Sequence, residues 1–219
     1  MDWTAQIDIY CERLDPSYWA EPFNAITNGA FVLAALWGAY EAQRRGLRNR
    51  AVWILIGLGF AIGIGSFLFH THATQWASLA DVLPIVLFVI GYAVTALALI
   101  GDASSGWVAI YTLGVLIFLG ATGYLVALAG ISINGSEAYL PALFLMIAIS
   151  TVTYLRAHRA FQWFAGATVA FVISLSFRSI DMAVCDAFPI GTHIFWHSLN
   201  GLVIALLLQA LIRNTPIRA

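Results

Sequence analysis

Seven apolar stretches follow one another along the chain, at roughly 24–41, 51–71, 79–100, 106–129, 138–155, 160–178 and 191–212. Each is close to the ~20 residues that a helix needs to cross a bilayer. The segments between them are short, so neighbours in sequence are expected to be neighbours in space. The sequence therefore predicts an all-α membrane protein: one seven-transmembrane helix bundle spanning residues 1–219, with residues 1–23 as a polar segment outside the membrane. Composition agrees, with 61% of residues hydrophobic, 10% charged and a mean hydropathy of +0.86. A soluble domain is about half apolar and about a quarter charged.

The arginines give the orientation. Arg44, Arg45, Arg48 and Arg50 lie between the first two stretches, Arg156 and Arg159 between the fifth and sixth, and Arg213 and Arg218 after the last. With seven spans these three groups share one side, which the positive-inside rule makes cytoplasmic. The acidic N-terminus is then outside and the C-terminus cytoplasmic. Trp37, Trp53, Trp107 and Trp163 fall at the cytoplasmic ends of their stretches, as an interfacial belt requires. The first 23 residues lack the basic start and apolar core of a cleaved signal peptide, so they are expected to be part of the mature protein.

Two cysteines, Cys11 and Cys185, both fall on the outer side. A disulfide between them would tie the N-terminal segment to the mouth of the bundle, two unpaired thiols being the alternative. Their shared oxidising compartment favours the bridge.

Polar side chains gather at one depth. Ser66 and His70 are four apart at the outer end of the second stretch, Asp81 is expected in the first turn of the third, and His193 and His197 are four apart at the outer start of the seventh. Residues four apart share a helix face, and ionisable groups at membrane depth usually mark function. Three imidazoles with an open position are the ligand set of a catalytic zinc ion, which acidifies a bound water and polarises a carbonyl. Asp81 is placed to act as base, and Ser66 to steady an oxyanion. A His-x-x-x-His pair alone is equally a hydrogen-bonded part of a polar seam; it is the convergence in depth that argues for metal. His72 is expected at the interface, His158 in solvent, and Arg178 and Asp181, three apart, in a salt bridge.

Several classes are excluded or disfavoured. No basic run resembles a phosphate-binding patch, so no nucleic-acid partner is expected. Every basic residue is Arg, and without a Lys there is no retinal Schiff base. A transporter would place its polar groups at mid-membrane, and a non-catalytic receptor-like site would need a fourth protein ligand to close the metal.

Asp8-Ile-Tyr-Cys11-Glu12, Ala20-Glu21-Pro22-Phe23-Asn24, Ser66-Phe-Leu-Phe-His70 with Asp81 eleven residues on, and Gly191-Thr-His193-Ile-Phe-Trp-His197 together resemble the alkaline ceramidases. That family belongs to a superfamily of seven-span membrane hydrolases that includes the adiponectin receptors. The resemblance implies a zinc amidase that cleaves ceramide or a similar N-acyl lipid to a sphingoid base and a fatty acid. His70, His193 and His197 match its zinc ligands, Asp81 and Ser66 its catalytic residues, and Cys11 and Cys185 its disulfide. It also implies a calcium site in the N-terminal segment, for which Asp8, Glu12 and Glu21 are the candidates. Here the motif departs from the family pattern: the spacing from Asp8 to Cys11 is one residue longer, and Leu14 stands where an Asn is expected. An ester-cleaving lipid-remodelling hydrolase shares the zinc chemistry and is the neighbouring alternative. With all-Arg basic residues and a short tail the chain reads as prokaryotic, which predicts a bacterial inner membrane with the active site toward the outer face.

Overall fold

The structure is a computed structural model that describes residues 2–100 and 105–216. Eight α-helices make it up, in the order α1 (Pro22–Thr27), α2 (Gly29–Arg44), α3 (Arg50–His72), α4 (Gln75–Ile100), α5 (Ser105–Leu128), α6 (Leu140–Leu155), α7 (Phe161–Ile180) and α8 (His193–Asn214). Single 3₁₀ turns at Ser136–Tyr139 and Asp181–Val184 lead into α6 and out of α7. Among the described residues no strand forms; Gln6 and Thr74 make one isolated bridge.

Six helices are long and apolar enough to cross a membrane: α3, α4, α5, α7, α8, and α6 together with its 3₁₀ lead-in. The first predicted stretch is divided into α1 and the 16-residue α2, which abut at Asn28. The outward faces agree with a lipid environment. On α5, Leu113, Leu116, Ile117, Leu125 and Leu128 all project outward, where a soluble helix would carry charge.

Local chemistry sets the helix ends. Pro22 occupies the first position of α1, where its missing N–H costs nothing. The Asn49 side chain caps α3 by accepting from the backbone N–H groups of Ala51 and Val52. Ala73, at φ 46°, ends α3 in the left-handed conformation, and α4 starts two residues later. Hydropathy places the start of this stretch at 79, but the helix begins at Gln75, so Asp81 stands in its second turn rather than its first.

Helix α3 packs on α4, α7 on α8, and α2 on both α3 and α8. Where α3 meets α4 the fit depends on Gly65: a Cβ there would collide with the carbonyl of Ala80. That carbonyl is free of its usual helical partner because Pro84, four residues on, has no N–H. The close approach brings Ser66, the next residue on α3, alongside Asp81.

The N-terminal segment lies over one end of the bundle. Ile7 N–H donates to the Ala73 carbonyl at 2.7 Å, and the N–H groups of Gln75 and Trp76 donate to the carbonyls of Ala5 and Trp3. Cys11 and Cys185 are joined in a disulfide, which ties this segment to the loop before α8. At the opposite end Glu41 of α2 is approached by Arg44 at 3.0 Å and by Arg213 at the end of α8 at 3.6 Å. Arg213 also sits 5.2 Å from the ring centre of Trp163, near the start of α7.

Candidate metal centre and catalytic cavity

Three helices and the N-terminal segment build the site. His70 comes from the last turns of α3, His193 is the first residue of α8, and His197 lies one turn further along. Each is only 1% exposed. One ring nitrogen from each falls within 4.8 Å of the others. Among the described residues, no other group of three or more His, Cys, Asp or Glu side chains is placed to hold a metal ion.

Hydrogen bonds fix how two of the rings present themselves. Glu21 Oε2 lies 2.6 Å from His70 Nδ1, and an ionised carboxylate can only accept, so His70 carries its proton on Nδ1. Burial would push the Glu21 carboxyl up, but hydrogen bonds from His70, Arg13 and Asn24 outweigh it and hold the group below its ordinary value. His197 Nδ1 is 3.0 Å from the Thr27 hydroxyl, whose own proton goes to the Phe23 or Asn24 carbonyl. Thr27 is therefore the acceptor, and His197 likewise carries its proton on Nδ1.

Both Nε2 atoms are left with lone pairs, and they face each other at 3.1 Å. Two acceptors at that distance repel unless a cation lies against them both. The spacing resembles the roughly 3.3 Å edge of a tetrahedron with nitrogens about 2.0–2.1 Å from a zinc ion. His193 Nδ1 is buried with no hydrogen-bond partner, an arrangement that is costly unless something binds it. The histidine set therefore fits a metal ion.

The backbone of His193 is held separately. Asp181, fully buried, accepts the N–H groups of Thr192 at 2.7 Å and His193 at 2.9 Å on Oδ1, and that of Cys11 at 3.1 Å on Oδ2. The expected salt bridge from Arg178 to Asp181 does not form. The three backbone donors take up the carboxylate, and Arg178 turns away to the Asn134 carbonyl and the Ser136 hydroxyl. Gly191 permits this packing: its φ is 72°, and a Cβ there would run into Asp181 and Cys11.

Ser66, Asp81, His193 and His197 line one cavity of about 100 Å³. Its polar end also includes Tyr10, whose ring stacks on His193 with centroids 3.8 Å apart. The other end is apolar, walled by Phe88, Phe171, Val203, Ile204 and Leu207. Asp81 Oδ1 is buried and has no hydrogen-bond partner.

The acidic candidates of the N-terminal segment do not converge on a site of their own. Glu12 accepts the backbone N–H groups of Phe23 and Asn24 at the start of α1, Asp8 is exposed, and Glu21 turns inward to His70. His72 packs at the surface against Tyr18 and Trp76, away from the cluster. His158 is half-buried at the surface, its Nδ1 accepting the N–H of Ala160.

The family model described as Ceramidase matches residues 2–214. This chain belongs to the ceramidase family. One curated relative is the alkaline ceramidase YPC1 of Saccharomyces cerevisiae, 37% identical over 86 residues, which is 38% of this chain and 26% of the yeast protein. The matched stretch thus spans about a quarter of that relative's length. A yeast relative lends no support to the bacterial membrane expected from composition.

Tyr10, Arg13 and Thr27 were given no role in the sequence reading, and Glu21 and Asp181 entered it in different roles. Only Glu21 carried a signal, as one of few acidic residues beside an apolar stretch. The others are common residue types whose importance arises from the fold of segment 1–23 over the bundle.

Proposed function

We propose that this ceramidase-family chain is a zinc-dependent intramembrane amidase, cleaving ceramide or a similar N-acyl lipid to a sphingoid base and a fatty acid. The observation that carries this reading is the juxtaposition of two arrangements. The Nε2 lone pairs of His70 and His197 face each other beside the unpartnered His193, and His193 and His197 line a cavity that is polar at Ser66 and Asp81 and apolar toward Leu207.

His70, His193 and His197 would hold the ion. A zinc ion bound there supplies Lewis acidity toward the amide carbonyl and lowers the pKa of water in the site. Asp81, with an unpartnered Oδ1 in the same cavity, takes the proton from the attacking water and returns one to the amine nitrogen as the C–N bond breaks. The Ser66 hydroxyl donates to the carbonyl oxygen as negative charge grows on it. Tyr10 closes the polar end over His193, and the apolar wall takes the acyl chain. The cluster contains three protein ligands among the described residues, leaving a position for substrate. A closed structural site would leave none.

The arrangement in the membrane belongs to the same proposal. Helices α1 and α2 together form the first of seven spans. The end carrying the histidines faces outward, and the end where Glu41 gathers Arg44, Arg45 and Arg213 faces the cytoplasm.

Metal analysis of purified protein, followed by product analysis with an N-acyl sphingoid substrate, tests this reading. About one zinc per chain and release of free fatty acid are expected, with both lost on replacing any of the three histidines by Ala. Full zinc occupancy in His193→Ala would overturn the ligand assignment.

A further inference from the structure

Arg13 is buried, at 5% exposure, at the mouth of the bundle. Its guanidinium is surrounded by oxygen. Nε lies 2.6 Å from Glu21 Oε1, Nη1 lies 3.1 and 3.4 Å from the carbonyls of Asp15 and Ser17, and Nη2 lies 2.9 Å from the carbonyl of His70. One carboxylate and three backbone carbonyls converging on a single positive charge make a ligand set of the kind that hard cations such as calcium take.

The residues that the family resemblance offers for calcium do not fit it here. Both Glu21 oxygens are engaged, by Arg13 on one side and by His70 and Asn24 on the other. Both Glu12 oxygens accept backbone N–H groups, Asp8 is exposed, and Leu14, 88% exposed, has no side-chain oxygen to offer. The site's oxygens already hold a cation, and it is covalently part of the chain.

We propose that Arg13 is the resident cation of the N-terminal segment, standing where a calcium ion would and making the protein independent of calcium. It acts as a positioning residue. Its bond to Glu21 Oε1 holds that carboxylate in place with Oε2 aimed at His70 Nδ1, which leaves His70 Nε2 as a lone pair for the metal. Its bond to the His70 carbonyl also satisfies one of the last four carbonyls of α3, which lack helical partners. A guanidinium is bonded to the chain and cannot be chelated away. The positioning role rests on the reading of His70 as a zinc ligand, whereas the cation itself does not.

Two measurements on the full chain in detergent separate these points. Elemental analysis after equilibration with millimolar calcium chloride and desalting should find no stoichiometric calcium, and the melting temperature should not change on adding calcium. One calcium per chain, or a calcium-dependent rise in melting temperature, would overturn the proposal whether or not the protein hydrolyses any amide. Next, zinc affinity is measured by competition with a chromophoric chelator. Arg13→Gln should weaken it about tenfold, as loss of an outer-sphere partner does, and Arg13→Lys should weaken it less because the charge remains. Equal affinity in wild type and Arg13→Gln would remove the positioning role. Should Arg13→Gln fail to fold, the comparison of Arg13→Lys with wild type is the one that decides, with unchanged affinity and melting temperature counting against it. A chain that binds zinc as expected but cleaves no N-acyl lipid would refute the amidase reading and leave both measurements intact.

Discussion

Asp181 Oδ1 accepts the backbone N–H of His193 at 2.9 Å while its Oδ2 accepts that of Cys11 at 3.1 Å. One buried carboxylate thus places the first residue of α8 and fastens the N-terminal segment across it. The first N–H groups of a helix have no partners within it and carry the positive end of its dipole, so an anion there is stabilised twice over. The disulfide from Cys11 to Cys185 and the stacking of Tyr10 on His193 lock the same junction from two further directions.

Replacing Asp181 by Ala would strand the N–H groups of Cys11, Thr192 and His193 in a buried site. Each unmet donor costs about 1–3 kcal/mol, so a large fall in melting temperature is expected, with loss of bound metal. Thermal denaturation and metal analysis in detergent check this. An Asp181→Ala protein as stable as wild type would show that the carboxylate is not what holds the start of α8.

Glu21 is a partner of a proposed ligand, placed in contact with His70 rather than with the metal. Glu21→Gln keeps the shape but removes the charge that holds the proton on Nδ1. Zinc affinity should fall about 10–100-fold, the usual effect of losing an outer-sphere carboxylate, and hydrolysis at saturating zinc should recover in part. If competition with a chelator finds no change in affinity, the Glu21–His70 contact has no bearing on the metal.

The Cys11–Cys185 bridge closes a long loop, 174 residues apart in sequence. Removing a native disulfide from a small secreted domain costs about 2–5 kcal/mol, and a bundle held by lipid should lose less. The Cys11→Ser/Cys185→Ser pair is expected to melt earlier and to bind zinc more weakly, since Tyr10 loses its anchor beside His193. Peptide mass spectrometry without reduction gives the direct check: free thiols at both positions would refute the bridge.

The apolar stretches and the histidine spacings were readable because both are local, one a matter of hydropathy and the other of helical period. Helix ends were read less well. Polar Gln75 and Ser78 hid the start of α4, because hydropathy marks membrane depth and a helix may begin before it. Of the partners of the histidines only Glu21 carried a signal, and its role was not readable. Thr27, Asp181 and Tyr10 reach the site from elements far apart in sequence, and Arg13 matters only because segment 1–23 folds down onto α3. The pairing of Arg178 with Asp181 failed for the same reason: three-residue spacing suggested a partner, while backbone donors from two distant segments claimed the carboxylate first.

Asp81 offers the sharpest test of the chemistry. It shares the cavity with Ser66, His193 and His197, yet it does not belong to the three-histidine group, and its Oδ1 has no partner. A residue so placed should matter for proton transfer and not for holding the metal. Asp81→Asn is therefore expected to retain its zinc and lose about 10²–10⁴-fold in turnover, the usual contribution of general acid–base catalysis. Ser66→Ala removes one donor to the developing oxyanion and should lose at most about 10²–10³-fold. The two variants separate the roles, because both should keep metal while only Asp81→Asn lacks a proton acceptor. Retained turnover in Asp81→Asn would eliminate it as the base, and loss of zinc from that variant would make it a ligand instead.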